Sequence, residues 1–297
     1  MPRLGDRPFF LGGRGKSAEY ETLFEQDNCC IVKHGDDIDL SLPSGPWTER
    51  HTELAGDYRA NSAHLRDPSF GDRRATDFLL DLPNLTSLSI SIWSPVDFSG
   101  VARISKLQSL RIDFGVGGWR LGDQLQPVDF SGLVKLEHAS IMMCRTFESI
   151  LTCRRIKELT VRNDCDGRLR DLDLSHLPGL RDLQLDHCPK LRNVFLHPKA
   201  RVRALEVSLC GSYKIDWQRM GPDLRFLVLG GRLTFPLDEV LNAPNLEVLH
   251  TLEIRKLPPL GFLRRLEKLR GVLFFAAPPG PKFSEDDLAF IEEIRLR

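Results

Sequence analysis

The sequence predicts an α/β solenoid, a stack of short repeats that each give one strand to a shared parallel sheet. Three observations carry that prediction. The pattern L-x-x-L-x-L starts at Leu85, Leu107, Leu136, Ile156, Leu180, Val202 and Leu224, with looser copies at Leu246 and Leu269. The start-to-start spacings are 22, 29, 20, 24, 22, 22, 22 and 23 residues. A second motif runs half a repeat out of phase: PVDFSG stands verbatim at 95–100 and 127–132, and its shape returns as LDLS from Leu172, IDWQ from Ile215 and LDEV from Leu237. Finally, Pro83-Asn84, Pro178-Gly179, Pro222-Asp223 and Pro244-Asn245 each lead directly into a first repeat leucine. Chance clustering of leucine does not give nine copies at so constant a period.

The strand comes from the spacing itself. Five or six residues alternating apolar and polar show one face to a core and one to solvent. A single unit of this size cannot bury its apolar face alone, so neighbours must stack. The other half of each repeat has about a dozen residues in which to return. That length suits a helical turn, a 3₁₀ turn or a second short strand. LRDLDL from Leu169 and LRNVFL from Leu191 look like second strands, and helical turns are expected at Phe147–Arg155, Leu237–Asn242 and Leu260–Lys268.

With these residues in hand the chain resembles the leucine-rich repeat family. The fuller motif, ending in Asn or Cys, is met by LEHASIMMC (136–144), LRDLQLDHC (180–188) and VRALEVSLC (202–210). The first two and last three copies depart from it with Trp93, Gly115, Arg232, Ile254 and Ala277 at the final position. The resemblance covers roughly residues 75 to 275, and it implies a curved solenoid with its parallel strands on the concave face.

Both ends of such a stack need caps, because an open end exposes apolar surface and strand edges. Residues 1–75 lack the repeat and are expected to form the N-terminal cap, 76–276 the solenoid and 277–297 a C-terminal capping helix. CCIVKHGDDIDLSL (29–42) reads as two strands around a His-Gly-Asp-Asp turn, and Ala75–Leu82 as a short helix. At the far end Ser284 is a good N-cap for SEDDLAFIEEIRLR. The long spacing holds an insertion at 115–126 with Trp119 near its tip, which either anchors a partner or folds back onto the solenoid edge.

Composition narrows the function. Hydrophobic residues are 41% and charged residues 28% of the 297, enough to bury a core. Lys+Arg and Asp+Glu are both 41, and a net charge of zero argues against general nucleic-acid binding. No apolar run reaches the ~20 residues of a membrane span. The N-terminal apolar stretch is too short for a signal peptide. Seven cysteines in a chain of this size need no disulfides, so a cytoplasmic location is expected.

A search for chemistry finds little. GGRGKS (12–17) ends like a phosphate loop, but Phe10 stands where the first glycine must be. Asp97, Asp129, Asp173, Asp216 and Asp238 recur with the repeat, and read as turn and capping chemistry rather than a metal ladder. Cys144, Cys188 and Cys210 hold the terminal motif position and carry no C-x-x-C, which speaks against zinc. Asp186-His187-Cys188 alternates faces along a strand and makes no triad. No catalytic residue, metal ligand or cofactor is assigned, and the chain is read as a non-enzyme.

A binding surface remains. In a repeat starting at n, positions n+2, n+4 and n+6 point outward from the sheet. The early copies place serines there, the middle ones Glu158, Asp182, Asp186 and Glu206, and the seventh Phe226 and Val228. Arg162 is the counter-charge within that acidic strip, and an exposed apolar pair beside it is costly for a merely solvated face. The expected partner site is therefore Arg111, Glu158, Arg162, Asp182, Gln184, Asp186, Glu206, Phe226 and Val228, with Trp119. The reading is a protein-interaction module, monomeric when free, that binds another protein with a basic surface on its concave face. A narrower form is an immunity or antitoxin-like protein that neutralises a toxin. The competing class is an enzyme with its site in residues 1–75.

Overall fold

The computed structural model describes residues 21–26, 29–42, 47–66, 76–114, 121–122, 124–162, 169–210, 213–231, 235–252, 260–275 and 293–296. It opens with an antiparallel meander: β1 (Glu21–Gln26), β2 (Cys29–His34) and β3 (Asp37–Leu42). The turn between β2 and β3 needs Gly35, whose φ of +62° costs glycine nothing and a larger residue dearly. Helix α1 (Glu49–Asp57) then leads to β4 (Ser62–Arg66), which pairs parallel with β3.

From β3 onward the main sheet is wholly parallel. It continues through β5 (Ser87–Ile92), β6 (Ser109–Phe114), β7 (His138–Met142) and β8 (Glu158–Arg162). Two strands, β9 (Asp171–Leu174) and β11 (Asn193–Leu196), pair with each other in a separate sheet on the far side. Between and after them β10 (Asp182–Asp186), β12 (Ala204–Ser208), β13 (Phe226–Gly230), β14 (Val248–Leu252), β15 (Gly271–Phe275) and β16 (Glu293–Leu296) complete a 14-stranded sheet in chain order. The second strands expected near Leu169 and Leu191 are β9 and β11. The expected turns are 3₁₀ segments at Arg145–Thr152, Leu237–Asn242 and Gly261–Arg265, with another at Asp77–Asp81.

Register follows the leucine pattern. Leu88, Leu110, Ala139, Leu159, Leu183, Leu205, Leu227 and Leu249 pair in a single row. None of them is more than 4% exposed. Truncating one such leucine to alanine costs about 2–5 kcal/mol in a close-packed core. The out-of-phase motif is also explained. Asp97, Asp129 and Asp173 accept from the backbone N–H of Ser99, Ser131 and Ser175 at 2.8, 2.9 and 2.8 Å. That bend turns the intervening Phe98, Phe130 and Leu174 fully inward. Phe98 and Phe130 meet Phe147, with ring centroids at 5.2 and 5.9 Å. The periodic aspartates are turn formers, and among the described residues no group of His, Cys, Asp and Glu is arranged to hold a metal ion.

The structure differs from the sequence expectation at both ends. The sheet does not begin at residue 76: β3 and β4 already belong to it, and Ala60, Ala63 and Leu65 are buried at the spacing of a repeat written with alanines. At the other end Glu293–Leu296 is not helix but β16, pairing parallel with β15. IEEIRL (291–296) repeats the 3-and-2 spacing of L-x-x-L-x-L, and Ile291 stands 22 residues after Leu269. Ser284, the expected N-cap, lies outside the described residues. Of the insertion, Leu121 and Leu125 are buried, so its second half is docked; Trp119 lies outside the described residues. No described helix is long and apolar enough to cross a membrane.

Candidate functional site

The outward face of the main sheet carries three rows of side chains, set by the same register that aligns the leucines. The first row runs Ser87, Ser109, His138, Glu158, Asp182, Ala204, Phe226, Val248 and Gly271. Adjacent strands lie about 4.8 Å apart, so these side chains are neighbours. His138 Nδ1 sits 3.0 Å from Glu158 Oε2. The pair reinforces itself: donating to Glu158 raises the imidazole pKa, and accepting from His138 lowers that of the carboxyl. Asp182 is next in the row. Burial and the Glu158 charge push its pKa up to about 6, against the weaker pull of Arg203 and Arg181.

The second row holds Arg111, Ser140, Thr160, Gln184, Glu206, Val228 and His250. Thr160 Oγ1 donates to Gln184 Oε1 at 3.2 Å. Burial and nearby Asp186 raise the Glu206 pKa, and a hydrogen bond from Gln184 works against them. In the third row Met142 pairs with Arg162, Arg162 with Asp186 and Asp186 with Ser208. Arg162 Nη1 lies 3.2 Å from Asp113 Oδ1, and Arg111 binds the other oxygen of the same carboxylate.

The four expected carboxylates do lie together, on β8, β10 and β12. Arg162, the expected counter-charge, is bound to Asp113 while its charge still acts on Glu206; Glu158 bonds to His138, and Asp186 bonds to His187 at 3.0 Å. His138 and Glu158 both occupy n+2 in consecutive copies, so this pairing was available to sequence reasoning that compared rows. A second correction concerns Val228, which is 2% exposed and not a surface residue. A middle-row valine is flanked by rows on both sides and by Glu206 and His250 on the adjoining strands, and that leaves it no open face. Phe226 is half-buried, its ring edge-on to His250 at 5.2 Å. The apolar end of the face extends further than expected, to half-buried Val248, Leu252 and Leu273. Extending the n+2, n+4, n+6 rule to the last two copies finds them. Arg111 and Gln184 stand where expected.

The fold and its outward face define a solenoid of the leucine-rich repeat type, one strand per repeat in register. No family model matches the chain, and no curated protein matches it. Among solved structures it is similar to the leucine-rich repeat protein LIC12759 of Leptospira interrogans, at 12% identity over 86% of this chain and 82% of that one, with a TM-score of 0.36. It is also similar to an internalin of Listeria monocytogenes, at 11% identity over 86% of each chain and a TM-score of 0.32.

Proposed function

We propose that the chain is a protein-interaction module whose concave face binds a partner with a basic surface. The observation that carries this reading is the carboxylate cluster of Glu158, Asp182, Asp186 and Glu206 on three neighbouring strands. Two of its members are shifted toward the neutral form, Asp182 by burial and the Glu158 charge and Glu206 by burial and the Asp186 charge. A cationic partner relieves that repulsion and is steered in by it. Half-buried Phe226, Val248 and Leu273 beside the cluster offer apolar contact area at its edge.

The test is affinity capture from the source cell with the folded chain, followed by rate measurements on the captured partner. Asp182→Lys/Asp186→Lys is expected to keep the fold, lose the partner and flatten the salt dependence of association. Glu267→Lys, a reversal at an exposed position away from the cluster, is expected to behave as the parent chain. Unchanged binding of the double variant at low ionic strength refutes the concave-face assignment. The narrower immunity-protein reading has its own test, a toxin gene encoded beside this one.

A further inference from the structure

The strand entrances of the main sheet lie outside its three outward rows. The residue after each first repeat leucine forms its own backbone ladder there. Lys157 N–H donates to Glu137 O at 2.8 Å, Arg181 to Lys157 O at 2.8 Å, Arg203 to Arg181 O at 2.6 Å and Arg225 to Arg203 O at 2.9 Å. Four successive rungs therefore carry cations, about 4.8 Å apart. The residue before the first leucine adds Arg155 and Arg201 to the same rim.

Between these rows lies a groove with about 480 Å³ of space. Its cations are Arg154, Arg155 and Lys157 from one repeat, Arg181 from the next, and Arg201 and Arg203 from the third. The one carboxylate in its wall, Glu137, is held by Lys157 at 2.6 Å. Arg201 pairs with Asp223 at 3.0 Å. Among the described residues no carboxylate comes within ion-pair distance of Arg154, Arg155, Arg181 or Arg203. In a chain of net charge zero, this local excess is a feature of placement and not of composition.

The groove has a definite cause. The position before the first leucine is Lys135, Arg155 and Arg201 in three of the four central copies, but Gly179 in the one between Arg155 and Arg201. The missing side chain opens the rim at its centre. An added Cβ at Gly179 meets only Ile156 O at 3.7 Å, an ordinary contact, so no backbone constraint demands glycine there.

We propose that this groove binds a compact anion bearing two or more phosphoryl groups. Arginine supplies five of the six cations, and its planar fork fits phosphate oxygens two at a time. The volume is that of a small-molecule site. The two terminal phosphoryl groups of a triphosphate chain, joined through the central one, are separated by about the spacing of adjacent rungs, roughly 4.8 Å, and a singly charged anion leaves most of the cations unmatched. The site stands on the strand-entry edge, opposite in sign to the acidic face, and its failure leaves the concave-face reading untouched.

The experiment is calorimetric titration of the full chain with sodium tripolyphosphate, with sulfate at matched ionic strength as the comparison. Tripolyphosphate is expected to bind at least ~30-fold more tightly than sulfate, and Arg181→Ala/Arg203→Ala to weaken it by about 30-fold. Gly179→Leu keeps every cation and fills the groove, and is expected to weaken binding about tenfold. Both variants alter exposed or open positions, and an unchanged unfolding midpoint confirms their folds. Equal affinity for sulfate, or tripolyphosphate binding indifferent to Gly179→Leu, overturns the site. So does a single-stranded oligonucleotide that binds more tightly than tripolyphosphate through the same two arginines.

Discussion

His138 and Glu158 lock together across β7 and β8 at 3.0 Å, and after burial the Glu158 charge is the next influence on Asp182, which follows in the row. With Glu158 held ionised by His138, its charge adds to burial in raising the Asp182 pKa from its ordinary 3.8 to about 6, while Arg181 and Arg203 moderate the rise. A carboxyl that titrates higher folded than unfolded loses stability as pH rises from about 3.8 to about 6, and bears the full cost above that. Asp182→Asn is therefore expected to stabilise the fold at pH 7, by about 1 kcal/mol after discounting for solvent screening. The gain should vanish below pH 4. Urea unfolding at the two pH values checks it; a destabilised Asn variant at neutral pH refutes it.

The thiols of the repeat make a second prediction. Cys188 and Cys210 are 0% and 5% exposed, on adjacent repeats, and their Sγ atoms point at Asp186 O and Ser208 O at 3.5 and 3.4 Å. A hydrogen bond from Cys188 lowers the Cys210 pKa, which favours thiolate chemistry, but burial denies a reagent access. Native protein should react slowly with a thiol reagent at both sites. Cys188→Ala should cost about 1–2 kcal/mol through a lost turn contact and a small cavity. Rapid labelling of both thiols without unfolding contradicts this.

How far the sequence could be read is visible in particular residues. The leucine spacing assigned every strand from β5 to β15 and, through n+2, n+4 and n+6, the three outward rows. What escaped it had local physical causes. Ala60, Ala63 and Leu65 keep the repeat spacing without its leucines. Ile291, Ile294 and Leu296 match both a repeat and one face of a helix, and only register with β15 decides between them. Val228 is buried by the neighbouring rows and strands, which a single repeat does not reveal. His138, the partner of Glu158, and Arg162, one of the two partners of Asp113, lie on other strands, and the residues of the basic groove fall at strand entrances rather than on the outward face.

The twin PVDFSG motifs give a paired prediction, because their final glycines have different surroundings. A Cβ on Gly100 would collide with the backbone of Thr76 and come within 2.6 Å of Asp77 N, whereas one on Gly132 would meet only Ala102 O at 3.4 Å. Thr76 cannot yield easily: it is fully buried, and its hydroxyl donates to Asp97 O at 2.9 Å and accepts from Val101 N–H at 3.2 Å. Gly100→Ala should destabilise by roughly 3 kcal/mol or more, and Gly132→Ala by less than about 1 kcal/mol. Chemical unfolding of the two variants decides it, and equal effects would mean that the close approach to Thr76 is not what fixes glycine at the end of the first motif.

The C-terminal strand supplies the last prediction. β16 covers the ladder edge of β15, from Gly271↔Glu293 to Phe274↔Leu296. In a stack where each repeat touches only its neighbours, a strand that covers a ladder edge protects the repeat beneath it from fraying and from edge-to-edge association. Deleting 291–297 should lower stability by about 1–3 kcal/mol, strip exchange protection from the β15 amides first, and promote self-association at raised concentration. Loss of stability alone does not separate a strand from a docked helix, so the backbone chemical shifts of 293–296 in the intact chain must be extended. Helical shifts there, or β15 amides equally protected after the deletion, would show that the repeat period does not continue to the end of this sequence.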